Sequence, residues 1–382
     1  MHAAGRRGEL WEGSSCRGLP IDRIALQVTR RSIDQRRHDL ASCDLRAWVR
    51  GHRRAYAVSV SRVDYDEFGL FHENAAEFDL PFSNEPAVRR QAIEAEPGRS
   101  LSALVWGEGD PQLVLLHGGA QNAHTWDTVA LALRPRSLVA IDLPGHGHSD
   151  GPGAAQRSQR TPTAAARDVA VVIRALAPNA SCIVGMSYGG LTALALTAIA
   201  PELVRRLVLV DVLPGLKAEH SRHIADFVNG PVTFPSFDEI LARTMKFNPN
   251  RSESSLRRGI LHNALQLDDG SWVWRHSRWR LDEPAALDAA PDKPTDDKPP
   301  GRLHDDLLGL LERVSVPLLL ARGMRPDSVL RDDDEAELLR RLPTAQVEHF
   351  AEAGHSIQGD MPIELAAAID RFASIPSPRS GP

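Results

Sequence analysis

Ser187 is the residue whose surroundings point most directly to chemistry. It lies in Gly185-Met186-Ser187-Tyr188-Gly189, a G-x-S-x-G pattern between a strand-like apolar run and a helix-like apolar run. A sharp turn from strand to helix needs residues without bulk beside the serine, and it exposes the serine hydroxyl. The amino end of the following helix also favours developing negative charge. The segment predicts a nucleophilic serine, although the pattern alone is common in ordinary turns.

A serine hydroxyl is a weak nucleophile and needs a base, which in turn needs a group to orient it. His355, in the segment Ala353-Gly354-His355-Ser356, follows a predicted strand. Its imidazole titrates near neutral pH, so it can take the serine proton and return it to a leaving group. A carboxylate must then hold the imidazole, and both Asp327 and Asp211 follow predicted strands.

Strands and helices alternate over most of the chain, which predicts a parallel sheet covered on both faces. The series begins with a hairpin of residues 88–95 and 101–106. Further strands are predicted at residues 113–116, 137–141, 181–184, 206–210, 316–321 and 346–350, and helices at residues 122–133, 164–176, 191–200, 332–342 and 362–373. Functional loops of such sheets lie beyond the carboxyl ends of the strands. We therefore expect His117, Gly119, Asp142, Ser187, Asp211, Asp327 and His355 to converge there.

Four motifs, in their order and spacing, resemble those of the α/β-hydrolase superfamily. They are His117-Gly118-Gly119, the run from Asp142 to Ser149, the Ser187 segment, and Gly354-His355-Ser356. The resemblance covers residues 88–373 and implies the α/β-hydrolase fold: a mostly parallel sheet with helices on both faces and an inserted helical cap. It divides the chain into a lead-in at 61–87, a core at 88–212 and 311–376, and a cap at 213–310.

The resemblance also assigns roles to site residues. Ser187 and His355 correspond to the catalytic pair, and Asp327 stands where the family most often places its acid. Asp211 is the alternative acid, at a position that some members use. Two backbone N–H groups should form the oxyanion hole, one from Tyr188 and the other from Gly119, with Ala120 as the alternative.

An insertion before residue 316 interrupts the alternation of strands and helices. The resemblance implies a cap over the active site, whose apolar residues would form the substrate pocket. Candidate pocket residues are Trp272, Trp274, Phe247 and Met245, although each could instead pack the cap onto the core. Residues 283–301 are rich in Pro, Asp, Ala and Lys, which predicts a flexible loop.

Composition limits the partners of the protein. The chain has 382 residues and a formal net charge of −5, which gives no electrostatic argument for nucleic acid or an anionic membrane. No apolar run is long enough to span a bilayer. The 3 cysteines show no metal or disulfide spacing, and we expect no metal, no cofactor and a cytoplasmic location. The oligomeric state stays open.

Residues 1–60 contain scattered arginine pairs without helical or strand periodicity. We expect a poorly ordered extension, or a segment ahead of a misassigned start. A basic arm for nucleic acid or a partner is the alternative.

The sequence predicts a serine hydrolase that forms an acyl-enzyme without a cofactor. Hydrolysis of carboxylic esters with a small apolar acyl or aryl part is the leading expectation. Hydrolysis of a carbon–carbon bond, thioester hydrolysis, amide hydrolysis, perhydrolysis or acyl transfer to an alcohol would use the same residues. A ligand-binding relative without activity is a further alternative.

Overall fold

The computed structural model describes residues 62–151, 161–276, 302–304 and 307–375. The predicted extension at 1–60 and the predicted flexible loop at 283–301 lie outside the described residues.

The strands are, in chain order, β1 (Val88–Glu96), β2 (Arg99–Trp106), β3 (Leu113–Leu116), β4 (Leu138–Ile141), β5 (Cys182–Met186), β6 (Leu207–Val210), β7 (Leu216–Lys217), β8 (Thr233–Phe234), β9 (Ala264–Gln266), β10 (Trp272–Trp274), β11 (Arg302–Leu303), β12 (Leu318–Gly323) and β13 (Gln346–Phe350). The helices are α1 (Phe71–Glu77), α2 (Asp127–Ala132), α3 (Pro162–Leu176), α4 (Tyr188–Ile199), α5 (Arg222–Val228), α6 (Phe237–Phe247), α7 (Glu253–Asn263), α8 (Leu308–Leu311), α9 (Asp332–Arg341), α10 (Ile357–Asp360) and α11 (Pro362–Ser374). Short 3₁₀ turns lie at Ala123–Trp126, Pro201–Leu203 and Ala218–Ser221.

Eight strands form the central sheet in the order β1-β2-β4-β3-β5-β6-β12-β13. β1 and β2 are an antiparallel hairpin at one edge, and β2 also pairs antiparallel with β4. The other six strands of this sheet, β4, β3, β5, β6, β12 and β13, pair in parallel. β3 to β6 are buried along their whole length, as strands covered on both faces must be. Helices α3 and α4 pack on one face, and α2 and α11 pack on the other. The predicted fold class is confirmed. Among the described residues, no helix has the length and apolar character needed to cross a bilayer.

The segment between β6 and β12 differs in part from the expected helical cap. It contains α5, α6 and α7, but also a small antiparallel sheet in the order β8-β10-β9. The sequence Trp272-Val273-Trp274 is the central strand of that sheet, and both tryptophans are buried against Phe234 and Ile240. Large aromatic residues at alternating positions favour a strand over a helix. The limits assigned to the lead-in, core and cap remain predictions.

Strand β5 and helix α4 meet at the serine turn with almost no space between their backbones. A Cβ added at Gly185 would lie 2.4 Å from the carbonyl oxygen of Gly189, and one at Gly189 would lie 2.4 Å from that of Leu116. Real Cβ atoms do not approach backbone atoms so closely. The expectation that this turn requires residues without bulk is confirmed.

A buried polar network supports the loop that follows β3. Asp142, at the end of β4, accepts hydrogen bonds from the Ala123 amide at 2.7 Å and from Arg90 at 2.7 Å. Arg90 also binds Glu67, and Glu67 lies 3.1 Å from the Nε2 atom of His124. The lead-in before β1 therefore fixes the first turn after the His117-Gly118-Gly119 loop.

His124 is held as an imidazolium in this network. Its Nδ1 lies 2.9 Å from the carboxylate of Asp127, and its Nε2 faces Glu67. Although burial lowers the pKa of His124, the carboxylates of Asp127 and Glu67 outweigh that effect and raise the pKa to about 9. His124 is thus a charged structural residue at neutral pH.

Substitution Gly189→Ala should destabilise the protein by about 2 kcal/mol or more, because the new methyl group overlaps the Leu116 carbonyl. Gly259→Ala is the matched control, since a Cβ at this exposed position of α7 has nothing within 4 Å. The control should be neutral or stabilising by up to ~1 kcal/mol. Urea unfolding of both variants tests the expectation, and equal stability of the two would contradict it.

Substitution His124→Gln should cost about 3 kcal/mol near pH 6, because it removes one partner from a buried ion pair. The folded-state pKa is raised, so the stabilisation is complete below about pH 6.5 and declines as the pH rises through about 9. The difference from the wild type in urea unfolding should therefore shrink at alkaline pH. His72→Gln, at an exposed position of α1, is the control. A difference that grows with pH would refute the charged state of His124.

Candidate active site

Ser187 is held in a strained backbone conformation between β5 and α4. Its φ and ψ are 51° and −121°, a combination that side-chain-bearing residues rarely adopt. Its amide donates to the carbonyl of Val210, and its carbonyl accepts from the amides of Gly190 and Leu191 in the first turn of α4. Such strain is kept where the surrounding structure enforces it, and it is frequent at functional sites. Helix α4 begins at the next residue, so its amino end lies at the serine.

His355 has a carboxylate partner, and that partner is Asp211. The Nδ1 atom of His355 lies 3.0 Å from Oδ2 of Asp211. Asp211 is fully buried and also accepts from the Gly323 amide, the Ser328 hydroxyl and the Val329 amide. A carboxylate with these donors acts only as an acceptor, so Nδ1 of His355 carries the proton. The Nε2 atom is then left with a lone pair.

The preference for Asp327 as the histidine's partner is wrong in this geometry, and the alternative Asp211 takes the position. After β12 the chain turns so that Ser328 and Val329 face Asp211, and the Asp327 carboxylate lies against Gly354 instead. Asp327 does line the cavity that contains Ser187 and His355. The position of Asp327 after β12 did not show that its carboxylate would face Gly354 and not His355.

The loop after β3 approaches the serine. A Cβ added at Gly118 would lie 3.3 Å from Cβ of Ser187, and Gly119 and Ala120 line the same cavity as Tyr188. Ala120 has a φ of 61°, which turns the chain sharply at this point. His117 is buried below the loop: its Nδ1 donates to the Gly118 carbonyl, and its Nε2 accepts from the Leu143 amide. Burial lowers the pKa of His117, so the ring is a neutral brace.

The end of cap helix α7 is tied to this loop. The side-chain amide of Asn263 donates to the carbonyl of Ala120 at 2.6 Å. Asn122 in turn donates to the carbonyl of His262 at 3.1 Å and to the side chain of Asn263 at 3.2 Å. The segment that carries the Gly119 and Ala120 amides is therefore positioned jointly by the core and the cap.

A cavity of about 430 Å³ joins these groups. Its lining includes Ser187, Tyr188 and His355, together with the Gly118–Gln121 loop, the Pro144–His146 turn and residues of the cap. The cap supplies His223, Ile224, Phe227, Val228, Phe247, Asn248, Arg251 and His276. This volume is within the usual range for a small-molecule site.

The predicted pocket residues divide into two groups. Phe247 lines the cavity, as expected. Met245 is 39% exposed and Trp272 is buried in the cap's own core, and neither lines it. Trp274 packs on Phe227 and Phe234, and it lines a second, smaller cavity. The alternative, in which these aromatics pack the cap onto the core, does not describe the two tryptophans either, because both are buried in a cluster formed mainly by cap residues.

The cavity residues that the sequence did not predict include His223, Arg251 and His276. Burial, and next the charge of His355, lower the pKa of His223. No local pattern distinguishes them from surface residues of a helical cap, because their exposure depends on how the cap sits on the core. Their places in the sequence, Arg251 two residues after Pro249 and His276 two residues after Trp274, do not indicate contact with the cavity.

Within the described chain, one group of side chains could hold a metal by proximity: His124, Asp127 and His262. The rings of His124 and His262 stack with their centroids 3.8 Å apart. A metal needs a ring nitrogen with a free lone pair, but both nitrogens of His124 face carboxylates. The geometry favours a charged hydrogen-bonded network over a metal centre.

Comparison with known proteins agrees with this fold. The model of the alpha/beta hydrolase family matches residues 113–368. The chain is 39% identical over 318 residues to esterase Rv0045c of Mycobacterium tuberculosis, which covers 80% of this chain and 94% of that protein. It is 30% identical to the pimeloyl-[acyl-carrier protein] methyl ester esterase of Nitrosomonas europaea, over 68% of this chain and 94% of that one.

A solved structure supports the same assignment. The crystal structure of the mycobacterial esterase superposes with a TM-score of 0.65 at 37% identity, over 81% of this chain and 99% of that chain. Given the family match over residues 113–368 and the extent of these similarities, the chain belongs to the alpha/beta hydrolase family.

Proposed function

We propose that the protein hydrolyses carboxylic esters, with Ser187 as the nucleophile and His355 as the general base. Asp211 holds the imidazole through Nδ1, which leaves Nε2 to take the proton of the Ser187 hydroxyl. The serine oxygen attacks the ester carbonyl, and the carbonyl oxygen becomes an oxyanion. The amides of Tyr188 and Gly119 stabilise that charge, with Ala120 as the alternative second donor.

The second half of the reaction releases the acid. His355 gives its proton to the departing alcohol as the tetrahedral intermediate collapses to an acyl-enzyme on Ser187. Water enters, loses a proton to His355 and attacks the acyl carbonyl, and the serine leaves with the returned proton. The cycle consumes one water and needs no electron transfer.

The observation that carries this proposal is the His355–Asp211 pair in one cavity with the strained Ser187. Base and acid are paired at 3.0 Å, and the nucleophile is presented on a turn that excludes larger residues. Of the two relatives named above, one is called an esterase and the other a methyl ester esterase, and these names favour ester hydrolysis over the other reactions of such a site.

The walls of the cavity favour a small substrate with an apolar part. Ile224, Phe227, Val228 and Phe247 provide adjacent apolar surface on the cap side of Ser187. A volume of about 430 Å³ accommodates a short acyl chain or an aryl group together with its alcohol. We therefore place small-molecule acyl or aryl esters first among the substrates.

Asp211→Asn should lower kcat for p-nitrophenyl esters by about 10³- to 10⁴-fold, because the amide cannot stabilise the imidazolium. Asp327→Asn should retain kcat within about tenfold, since the Asp327 carboxylate makes no hydrogen bond to His355 in the described structure. Both substitutions change one atom and preserve shape, so each serves as the control for the other.

Steady-state kinetics of the two variants, with Ser187→Ala as the inactive reference, give the answer. A loss in Asp327→Asn that equals or exceeds the loss in Asp211→Asn would return the role to Asp327. Retained activity in Ser187→Ala would refute the nucleophile.

A further inference from the structure

A second cavity of about 160 Å³ adjoins the active-site cavity. The two share Ala120, Gln121, Phe227, Asn248 and Arg251 as lining residues. Arg251 therefore lies at the boundary, within reach of a molecule whose ester is at Ser187. It is the one arginine that lines the active-site cavity within the described chain.

Arg251 lacks a carboxylate partner among the described residues. Its guanidinium makes a single hydrogen bond, from Nη2 to the Ser255 hydroxyl at 2.7 Å, and its buried Nε has no acceptor. The neighbouring arginines differ: Arg257 pairs with Glu73 at 2.9 Å, and Arg258 pairs with both Glu73 and Glu77. Arg257 and Arg258 are thus each paired with a carboxylate of the protein, and Arg251 is not.

The acidic groups nearest to Arg251 form their hydrogen bonds with other donors. Glu77 accepts from Arg258 and from the Ser252 hydroxyl, and Asp360 accepts from the amide of Gly354 at 2.9 Å. Burial lowers the pKa of Arg251, and the attraction of Asp360 and Glu77 offsets it only in part. A half-buried guanidinium in this setting is stabilised by an external anion.

The guanidinium of Arg251 packs against the backbone of Gly359. A Cβ at Gly359 would lie 2.7 Å from Cζ of Arg251, so the guanidinium occupies space that any larger residue would fill. Gly359 belongs to α10, which starts two residues after His355. The charge is therefore fixed against the same short segment that presents the base.

Other buried polar atoms without partners surround the second cavity. They are Oδ1 of Asn74, Oδ1 of Asp127, Nε2 of His262 and Oε1 of Gln358, each on a residue that lines it. Buried polar groups are nearly always hydrogen-bonded, so a cluster of unsatisfied ones marks space for a polar group or its water. Three of these atoms are oxygen acceptors, so they suit a bridging water or a donor group of a ligand. A carboxylate fits instead at the guanidinium of Arg251, at the boundary of the two cavities.

We propose that Arg251 binds a carboxylate at the far end of the ester substrate, so that the enzyme prefers esters with an acidic terminus over neutral ones. The proposal rests on the ester-hydrolase function. The planar fork of a guanidinium matches the two oxygens of a carboxylate, and it does so better than an ammonium group. The reactive ester lies at Ser187 and the apolar chain along Phe227 and Phe247.

Matched aryl esters test the proposal. One set consists of p-nitrophenyl monoesters of dicarboxylic acids of increasing length, and the other carries a methyl ester in place of the free carboxylate. A parallel pair places the carboxylate on the alcohol part. Wild-type enzyme should favour the carboxylate member at its best length by about tenfold or more in kcat/KM, as a charge-assisted hydrogen bond allows.

Arg251→Met should remove this preference, and Arg251→Lys should retain part of it because the charge remains. The control is Arg174→Met, an exposed arginine that pairs with Glu202 far from the cavity, and it should keep the full preference. If Arg251→Met does not fold, the test is the preference of the wild-type enzyme for the carboxylate esters and its partial loss in Arg251→Lys.

Two results would overturn the inference: wild-type enzyme that hydrolyses neutral esters with no preference at any length, or a preference that survives Arg251→Met. In both cases Ser187-dependent hydrolysis of the neutral esters leaves the proposed function intact. Failure to hydrolyse either set would instead remove the proposed function.

Discussion

The carboxylate of Asp211 is the interaction on which the site depends. It is fully buried at the end of β6 and accepts four hydrogen bonds, from the Gly323 amide, the Ser328 hydroxyl, the Val329 amide and His355. A buried carboxylate is tolerated only when such donors replace water. The loop after β12 and the loop after β13 are therefore both arranged around one side chain. The imidazole is oriented as a consequence of that arrangement.

Buried polar contacts also hold the loop on the other side of Ser187. The Gly118–Ala120 loop is braced from below by His117 and from the cap by Asn263. Asp142, Arg90 and Glu67 fix the residues that follow it. The loops around Ser187 are thus held by buried polar contacts that reach into the lead-in and the cap.

Most of the sheet could be predicted from the sequence because its signals are local. The continuous apolar run at residues 113–116 predicts a buried strand, and the glycines around Ser187, between a strand-like and a helix-like run, predict a tight turn; the structure has both. The acid could not be chosen this way, since Asp211 and Asp327 both follow strands and only the turn of the intervening chain separates them. The prediction of the pocket residues was wrong in part for a related reason. Trp272 and Phe247 are both large apolar residues, and the packing of the cap decides which one faces the cavity. The small cap sheet was missed because strands of two or three residues leave almost no periodic signal.

We infer that Ser187 is activated through His355 by Asp211. This activation is tested most directly by the rate at which a fluorophosphonate modifies the enzyme, with the modified peptide identified by mass spectrometry. We expect one adduct, on Ser187, with a rate that follows the deprotonation of a single group and falls steeply in Asp211→Asn. An adduct on another residue, or an unchanged rate in Asp211→Asn, would contradict it.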